Sequence, residues 1–164
     1  IVQSFEPMKS NFIRLWQNIL INNFVNVTAH FVAFGEEDKI TKFFTGNDVA
    51  GSSGGQVGDN SDGYPIRMVC GDTFATAYSL NGFDIERMYP NYIKIATDGN
   101  EYDILRGMEY LFYDPRLKSI LVEINNHDAE INTMMDGAGF VVDEELMKFK
   151  GRPQHDHNVI FTRS

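Results

Sequence analysis

The sequence has a single cysteine, Cys70, in 164 residues, so it can close no disulfide within itself. That excludes a disulfide-stapled scaffold and suits a reducing compartment. No apolar run approaches the roughly 18 residues of a transmembrane helix. Positive charge is scarce: Lys plus Arg number 14 against 23 Asp plus Glu, a net charge of −9. Such a balance gives no general electrostatic footprint for nucleic acid or an anionic membrane, so neither is an expected partner. No charged stretch leads into an apolar one, as a secretory signal requires. The expected location is therefore cytoplasmic. What is present is ordinary globular usage, 43% hydrophobic and 23% charged residues, in a chain long enough for one core. A single domain over residues 1–164 is expected.

Hydrophobic spacing predicts the elements. A short strand opens the chain and Pro7 follows it, a residue favoured in the first turn of a helix. Phe12, Leu15, Trp16, Ile19 and Leu20 recur with helical period, predicting an amphipathic helix with one buried stripe. Residues 26–34 are β-prone, 35–38 read as a turn, and 40–45 as the second strand of a hairpin. Residues 46–63 hold six glycines and read as a long loop, either a surface excursion or a mobile lid. Next come a strand at 64–69, a helix at 72–80 capped by Asp72, and a strand at 92–96. A helix carrying Ile104, Leu105, Met108, Leu111 and Phe112 ends at Asp114-Pro115. A strand at 119–124 and a helix at 128–138 follow. Residues 140–142 and 159–161 form a terminal antiparallel pair, joined by a polar connector at 148–158. Strands alternating with helices indicate an α/β domain with a mostly parallel sheet.

In open α/β sheets the ligand lies beyond the C-terminal ends of the strands. Glu6 stands there after the first strand, where an acidic residue can accept both hydroxyls of a ribose; it can equally serve as a helix N-terminal charge. Asp98 and Glu101 open a helix beside a strand end, either as a capping box or as acid, base or substrate contacts. His127-Asp128 can act as a base and its orienter. His155-x-His157 reads as a polar loop rather than a metal pair. His30 reads as structural and Cys70 as a small buried hydrophobe. Asp136-Gly137-Ala138-Gly139 superficially resembles a nucleotide-binding turn. It follows a helix and precedes a strand, the reverse of the order such a turn needs, so it reads as a helix C-terminus.

Several segments in order resemble the FkbM-type methyltransferases. They are Phe5-Glu6-Pro7 with the helix ending at Asn22, then Asn26-Val27-Thr28 through Val32-Ala33 to the acidic turn at 36–38. Gly71-Asp72-Thr73-Phe74 looks like that family's Thr-Leu-Asp-Ser-Leu element. The most specific is Ile93-Lys94-Ile95-x-x-Asp98-Gly99-Asn100-Glu101 with Ile104-Leu105-Arg106-Gly107, continuing to Leu121-Val122-Glu123-Ile124. The resemblance implies a Rossmann-like methyltransferase sheet, mostly parallel with a terminal antiparallel strand pair, and S-adenosyl-L-methionine as cofactor. Phe5, Glu6 and Pro7 would lie at the donor, with Glu6 on its ribose and Phe31, Val32 and Ala33 near its adenine. Lys94, Asp98, Gly99, Glu101 and Glu123 match the family's signature positions. Asp98, Glu123 and His127 are the base candidates, and Lys94 completes the catalytic set. The implied acceptor is a hydroxyl of a small molecule or saccharide.

Two departures qualify that pattern. Position 96 is Ala where the family pattern has Asp; this removes an obvious metal ligand, and no metal site is expected. The glycine-rich strand-turn-helix that cradles the donor's methionine half does not precede Ile1. The domain is thus expected to lack its N-terminal strand and helix. A missing N-terminal segment or a homo-oligomeric partner would supply the strand. Two rival readings stand beside an O-methyltransferase. One is a non-catalytic remnant acting as a binding or interaction module. The other is a different Rossmann-like enzyme with a nucleotide cofactor.

Overall fold

The computed structural model of the chain describes residues 1–59, 62–80, 89–124, 126–147 and 158–163. The fold is mixed α/β and divides into two compact units, Ile1–Cys70 and Gly71–Ser164.

In the first unit, β1 (Val2–Phe5) leads into α1 (Lys9–Ile21) and returns in β2 (Val27–His30). β1 and β2 pair in parallel, with Val2 opposite Val27 and Phe5 opposite His30. A parallel return needs a crossover of about a dozen residues, which α1 provides. β3 (Ala33–Phe34), β4 (Lys39–Phe44), β5 (Gln56–Gly58) and β6 (Tyr64–Val69) form a separate sheet in the order β3-β6-β4-β5. The expected hairpin between 26–34 and 40–45 does not form. β4 pairs antiparallel with β5 and β6, while β3 pairs in parallel with β6. The β-prone run breaks at Phe31-Val32, so its two halves join different sheets. Met8, Ala33, Phe43, Ile66 and Met68 make this unit's core, with Phe31, Val57 and Tyr64 packed against it.

The expected buried stripe on α1 is also corrected. No residue of α1 is buried, and Trp16 and Leu20 are 52% and 53% exposed. Periodicity makes a helix amphipathic; only a neighbour buries its face.

In the second unit, α2 (Gly71–Leu80) precedes β7 (Tyr92–Ile95). The single helix expected after it is two short ones, α3 (Glu101–Arg106) and α4 (Glu109–Phe112), interrupted at Gly107-Met108. β8 (Ser119–Glu123), α5 (Asp128–Gly137), β9 (Phe140–Val142), α6 (Glu144–Met147) and β10 (Asn158–Arg163) follow. The sheet order is β7-β8-β10-β9. β7 and β8 are parallel, with Ile95 opposite Val122, and β10 lies antiparallel to both β8 and β9. The terminal antiparallel pair is therefore present, and β10 also inserts beside β8.

The expectation of a mostly parallel sheet needs correction. Among the described residues three strand pairings are parallel and four antiparallel. The link between β4 and β5 carries no crossover helix, and that pair returns antiparallel.

The second core is dense. Leu105, Ile120, Val122, Ile131 and Met135 are fully buried, and Phe112, Phe140 and Phe161 are 1% exposed. Each such side chain contributes roughly 1.5–3 kcal/mol of burial. Arg163, at the end of β10, binds this core's margins together. Its guanidinium donates to the carbonyls of Phe112 (2.6 Å), Asp114 (2.9 Å), Leu117 (3.0 Å) and Ala138 (3.4 Å), and it lies over the Phe140 ring. It thereby serves the carbonyls of Phe112, which ends α4, and Ala138, which follows α5, where the helical ladder stops. Gly139, at φ +79°, carries the chain from α5 into β9, as the reversed glycine motif implies.

Candidate active site

Glu6 lies just beyond β1 at the C-terminal end of the β1–β2 pair, and its N–H donates to the His30 carbonyl at 3.1 Å. The half-buried carboxylate turns back on the chain, where its Oε1 accepts the Met8 N–H at 2.8 Å. Burial pushes its pKa above the ordinary value, against the opposing hydrogen bonds from Met8 and the Asn11 side chain.

The start of α1 is satisfied by three segments. Besides Met8, Lys9 N–H donates to the Tyr64 hydroxyl (2.9 Å) and Ser10 N–H to Asp48 Oδ1 (3.2 Å). The Tyr64 hydroxyl donates in turn to the Pro7 carbonyl at 2.7 Å. Asn11 accepts the Gly51 N–H (2.7 Å) and donates to the Ser52 carbonyl (3.2 Å). The glycine-rich loop is therefore fastened to the helix entrance, and β5 lies within it. Tyr64, Asn11 and Asp48 were not singled out from sequence; a lone hydroxyl or amide far along the chain gives no local signal of that contact.

Aromatic rings surround the same strand ends. Phe5 stacks on His30 with centroids 5.0 Å apart and meets Phe34 edge-on at 4.5 Å. His30 also holds the Gln3 amide at 2.6 Å. Burial lowers the His30 pKa, which fits its expected structural role. Phe31 packs against Phe12 (5.2 Å) and stacks with Tyr64 (6.3 Å). The fold thus brings Phe5, Glu6 and Pro7 to the strand end from which Phe31, Val32 and Ala33 continue. Ala33 is buried and Val32 half-buried. An acidic half-buried residue beside apolar and aromatic side chains has the donor set that a nucleoside needs: acceptors for ribose hydroxyls and a surface for a base.

The other four candidates belong to the second unit. Lys94 is an exposed residue of β7, opposite Leu121 of β8. Asp98 is exposed in the turn beyond β7. It is not the helix cap, since Asn100 occupies that position without a side-chain bond. The expected capping box does not form either, because Glu101 is the first helical residue and reaches back past the Asn100 cap to the turn before it. Glu101, 2% exposed, accepts on Oε1 from Thr97 Oγ1 (2.7 Å), Thr97 N–H (3.1 Å) and Gly99 N–H (3.3 Å). Gly99 takes φ +109°, a conformation suited to glycine. Glu101 therefore shapes the turn that presents Asp98.

Glu123 ends β8, half-buried and opposite Asn158. His127 is the N-cap of α5 in a left-handed conformation, φ 62°. Its ring stacks on Tyr102 of α3 at 4.7 Å, and its Nδ1 lies 3.6 Å from Glu130 Oε1. The carboxylate beside it is thus that of Glu130, one helical turn on, instead of the expected Asp128. Asp98 and His127 stand beyond the C-terminal ends of adjacent parallel strands, and His127 stacks on Tyr102 of α3, the helix that follows Asp98. Among the described residues no group of three or more His, Cys, Asp and Glu gathers as a metal site. His155 and His157 lie outside the described residues.

Two further readings change. Asp72 does not cap its own helix; its two oxygens accept the N–H groups of Leu111 (2.9 Å) and Tyr110 (3.1 Å), capping α4. Burial raises its pKa against those bonds. Cys70 is half-buried instead of buried, and its N–H donates to Asp38 at 3.2 Å.

No helix among the described residues is long and apolar enough to cross a membrane. The family model for the methyltransferase FkbM domain matches residues 1–144. No curated protein matches the sequence. A solved structure of methyltransferase FkbM from Methylobacillus flagellatus KT shares the fold, with a TM-score of 0.59 at 12% identity. The match covers 98% of this chain and 36% of that one, so the chain spans about a third of that relative's length. A match over residues 1–144, on a fold shared with that structure, assigns the chain to the FkbM methyltransferase domain family.

Proposed function

We propose that the chain is an S-adenosyl-L-methionine-dependent O-methyltransferase domain acting on a hydroxyl of a small molecule or saccharide. The observation that carries this reading is the half-buried Glu6 at the C-terminal end of a parallel strand pair, just after Phe5 on one strand and tied by its N–H to His30, which precedes Phe31 on the other. Glu6 would hold the ribose, and Phe31 and Val32 would flank the adenine, with Ala33 buried in the core behind them. Phe5 and Pro7 would set the strand end from which Glu6 reaches. When bound, the cofactor supplies an electrophilic methyl group. The chain's own task is to orient the acceptor and take its proton.

His127 is the favoured base. It is exposed, its ring is oriented by Tyr102, and its backbone is in a left-handed conformation that functional sites support more often than others. Imidazole is also the side chain best suited to proton transfer near neutrality. Asp98 and Glu123 would bind acceptor hydroxyls, and Lys94 would stabilise developing negative charge. A cytoplasmic location follows from cofactor supply.

Titration calorimetry with S-adenosylhomocysteine, against NAD as control, tests the reading. Binding of the first alone is expected, weakened about tenfold or more in Glu6→Gln. Binding of NAD alone would favour a nucleotide-cofactor enzyme of another class. Ala96 favours a second reading, a non-catalytic binding module, because an exposed alanine stands just beyond β7 where the family pattern has Asp. Binding of neither ligand would favour that module.

A further inference from the structure

The second unit contains an open cavity of about 620 Å³ at the other end of its strands from Asp98 and His127. Tyr89 lines it just before β7, and Asp114 lines it just before β8. Asp72 and Thr73 of α2 and Tyr110 and Tyr113 from around α4 complete the part that matters here. The volume is that of a small-molecule site.

Its chemistry narrows the ligand. Tyr110 and Tyr113 are 84% and 68% exposed, unusual for rings of that size. None of the described lining residues carries a positive charge, and the Arg116 guanidinium next to them is already engaged by the Asp114 carboxylate, so a phosphate or carboxylate is not the favoured ligand. A cation is not called for either, because the two carboxylates are already compensated. Asp114 forms a fork with Arg116, at 2.8 Å to Nε and 2.6 Å to a terminal nitrogen. Asp72 accepts two backbone N–H groups at the start of α4. Arg116 also covers one face of the Tyr89 ring, 3.7 Å from its centroid. What the cavity offers is aromatic faces, hydroxyls, and carboxylate lone pairs held in fixed positions.

We propose that this cavity is a saccharide-binding subsite: a neutral sugar ring lies against Tyr110 or Tyr113 and donates hydroxyls to Asp72 and Asp114. The apolar C–H face of a pyranose matches an exposed tyrosine ring, and its hydroxyls match acceptors that need no countercharge. Thr73 supplies a further hydroxyl. The subsite is independent of donor binding and does not rest on the methyl-transfer reading.

The test is ligand-observed and amide-shift NMR on the full chain. The probes are a panel of neutral mono- and disaccharides, with tetramethylammonium and inorganic phosphate as charged controls. At least one neutral saccharide is expected to bind in the millimolar range, shifting the amides of Thr73, Tyr110 and Leu111. The double variant Tyr110→Ala/Tyr113→Ala should weaken it about tenfold with an unchanged circular dichroism spectrum, since both rings are exposed. Glu6→Gln, which impairs the proposed donor site, should leave it unchanged. The proposal is overturned if no neutral saccharide binds, if only a charged control binds, if shifts map elsewhere, or if the double variant binds normally.

Discussion

The parallel pair β1–β2 carries a crossover helix none of whose residues is buried. The parallel pair β7–β8 lies in a sheet where Ile120 and Val122 are fully buried beside Leu105, Ile131 and Met135. Both pairs present candidate residues at their C-terminal ends. The first holds its strand end with ring contacts, and the start of its crossover helix with hydrogen bonds to distant segments through Tyr64, Asp48 and Asn11. The second rests on a dense apolar core, with the Glu101 carboxylate bonding the backbone of the turn beyond β7 and Asp72 capping α4. The contrast teaches that a site's framework can rest on polar latches or on packing, and that the two should fail differently.

The largest effect should come from the dense side. Leu105→Ala should cost about 2–5 kcal/mol in urea unfolding, while Leu20→Ala on α1 should fall within about 0.5 kcal/mol of the parent. A Leu20→Ala cost equal to that of Leu105→Ala would break the comparison, because α1 would then be covered in solution.

Arg163→Lys should be next, at about 2–3 kcal/mol. A lysine cannot reproduce the planar fork that serves four carbonyls, and charge-assisted bonds at these sites are individually strong. Recovery of full thermal stability in Arg163→Lys would show that packing alone holds the margins of that core.

Asp72→Ala should cost about 1–2 kcal/mol, the ordinary range for losing a helix cap. Hydrogen exchange should localise the loss to the amides of Tyr110 and Leu111. Uniform loss across the unit would mean that Asp72 does more than cap α4.

The smallest effects are set by pH, and their signs differ between the two units. The Arg116 guanidinium holds the Asp114 carboxyl below its ordinary value of 3.8. Its contribution is therefore full above pH 3.8 and is lost as pH falls through the lower folded value. Asp114→Asn should cost about 1 kcal/mol near neutrality, and the gap should close in acid. Burial instead raises Glu6 above its ordinary 4.5, so its contribution is full below pH 4.5 and is lost as pH rises through the folded value. Glu6→Gln should therefore be no less stable than the parent at neutral pH while losing donor affinity. Denaturation curves of both variants between acid and neutral pH check the opposite signs.

Much of the local structure was legible. Strand 64–69 was read with its observed boundaries because Gly63 and the Gly71-Asp72 helix start bracket a β-prone run. The helices after Pro7 and after Asp98 were marked by that proline, by acidic residues near the helix start and by apolar period, although neither Pro7 nor Asp98 is the cap. The break of the 101–112 helix at Gly107-Met108 was missed because its apolar spacing continues across the interruption. β5 was missed because three residues among glycines carry almost no propensity signal. For the site, the position of Glu6 after a strand was visible. Its turn back to Met8 was not, and neither was the stacking of His127 on Tyr102, a contact across 25 residues of sequence.

Local periodicity, caps and breakers thus determined where the strands and helices of this protein lie, since those signals act over a few neighbouring residues. The ordered motifs determined its family. Which strands pair, which helix face is buried, and which partners Tyr64, Asp72, Glu101 and Arg163 find were decided by tertiary structure. Those contacts join residues far apart in the chain, and their free energy exists only once the chain has closed the loops that bring them together.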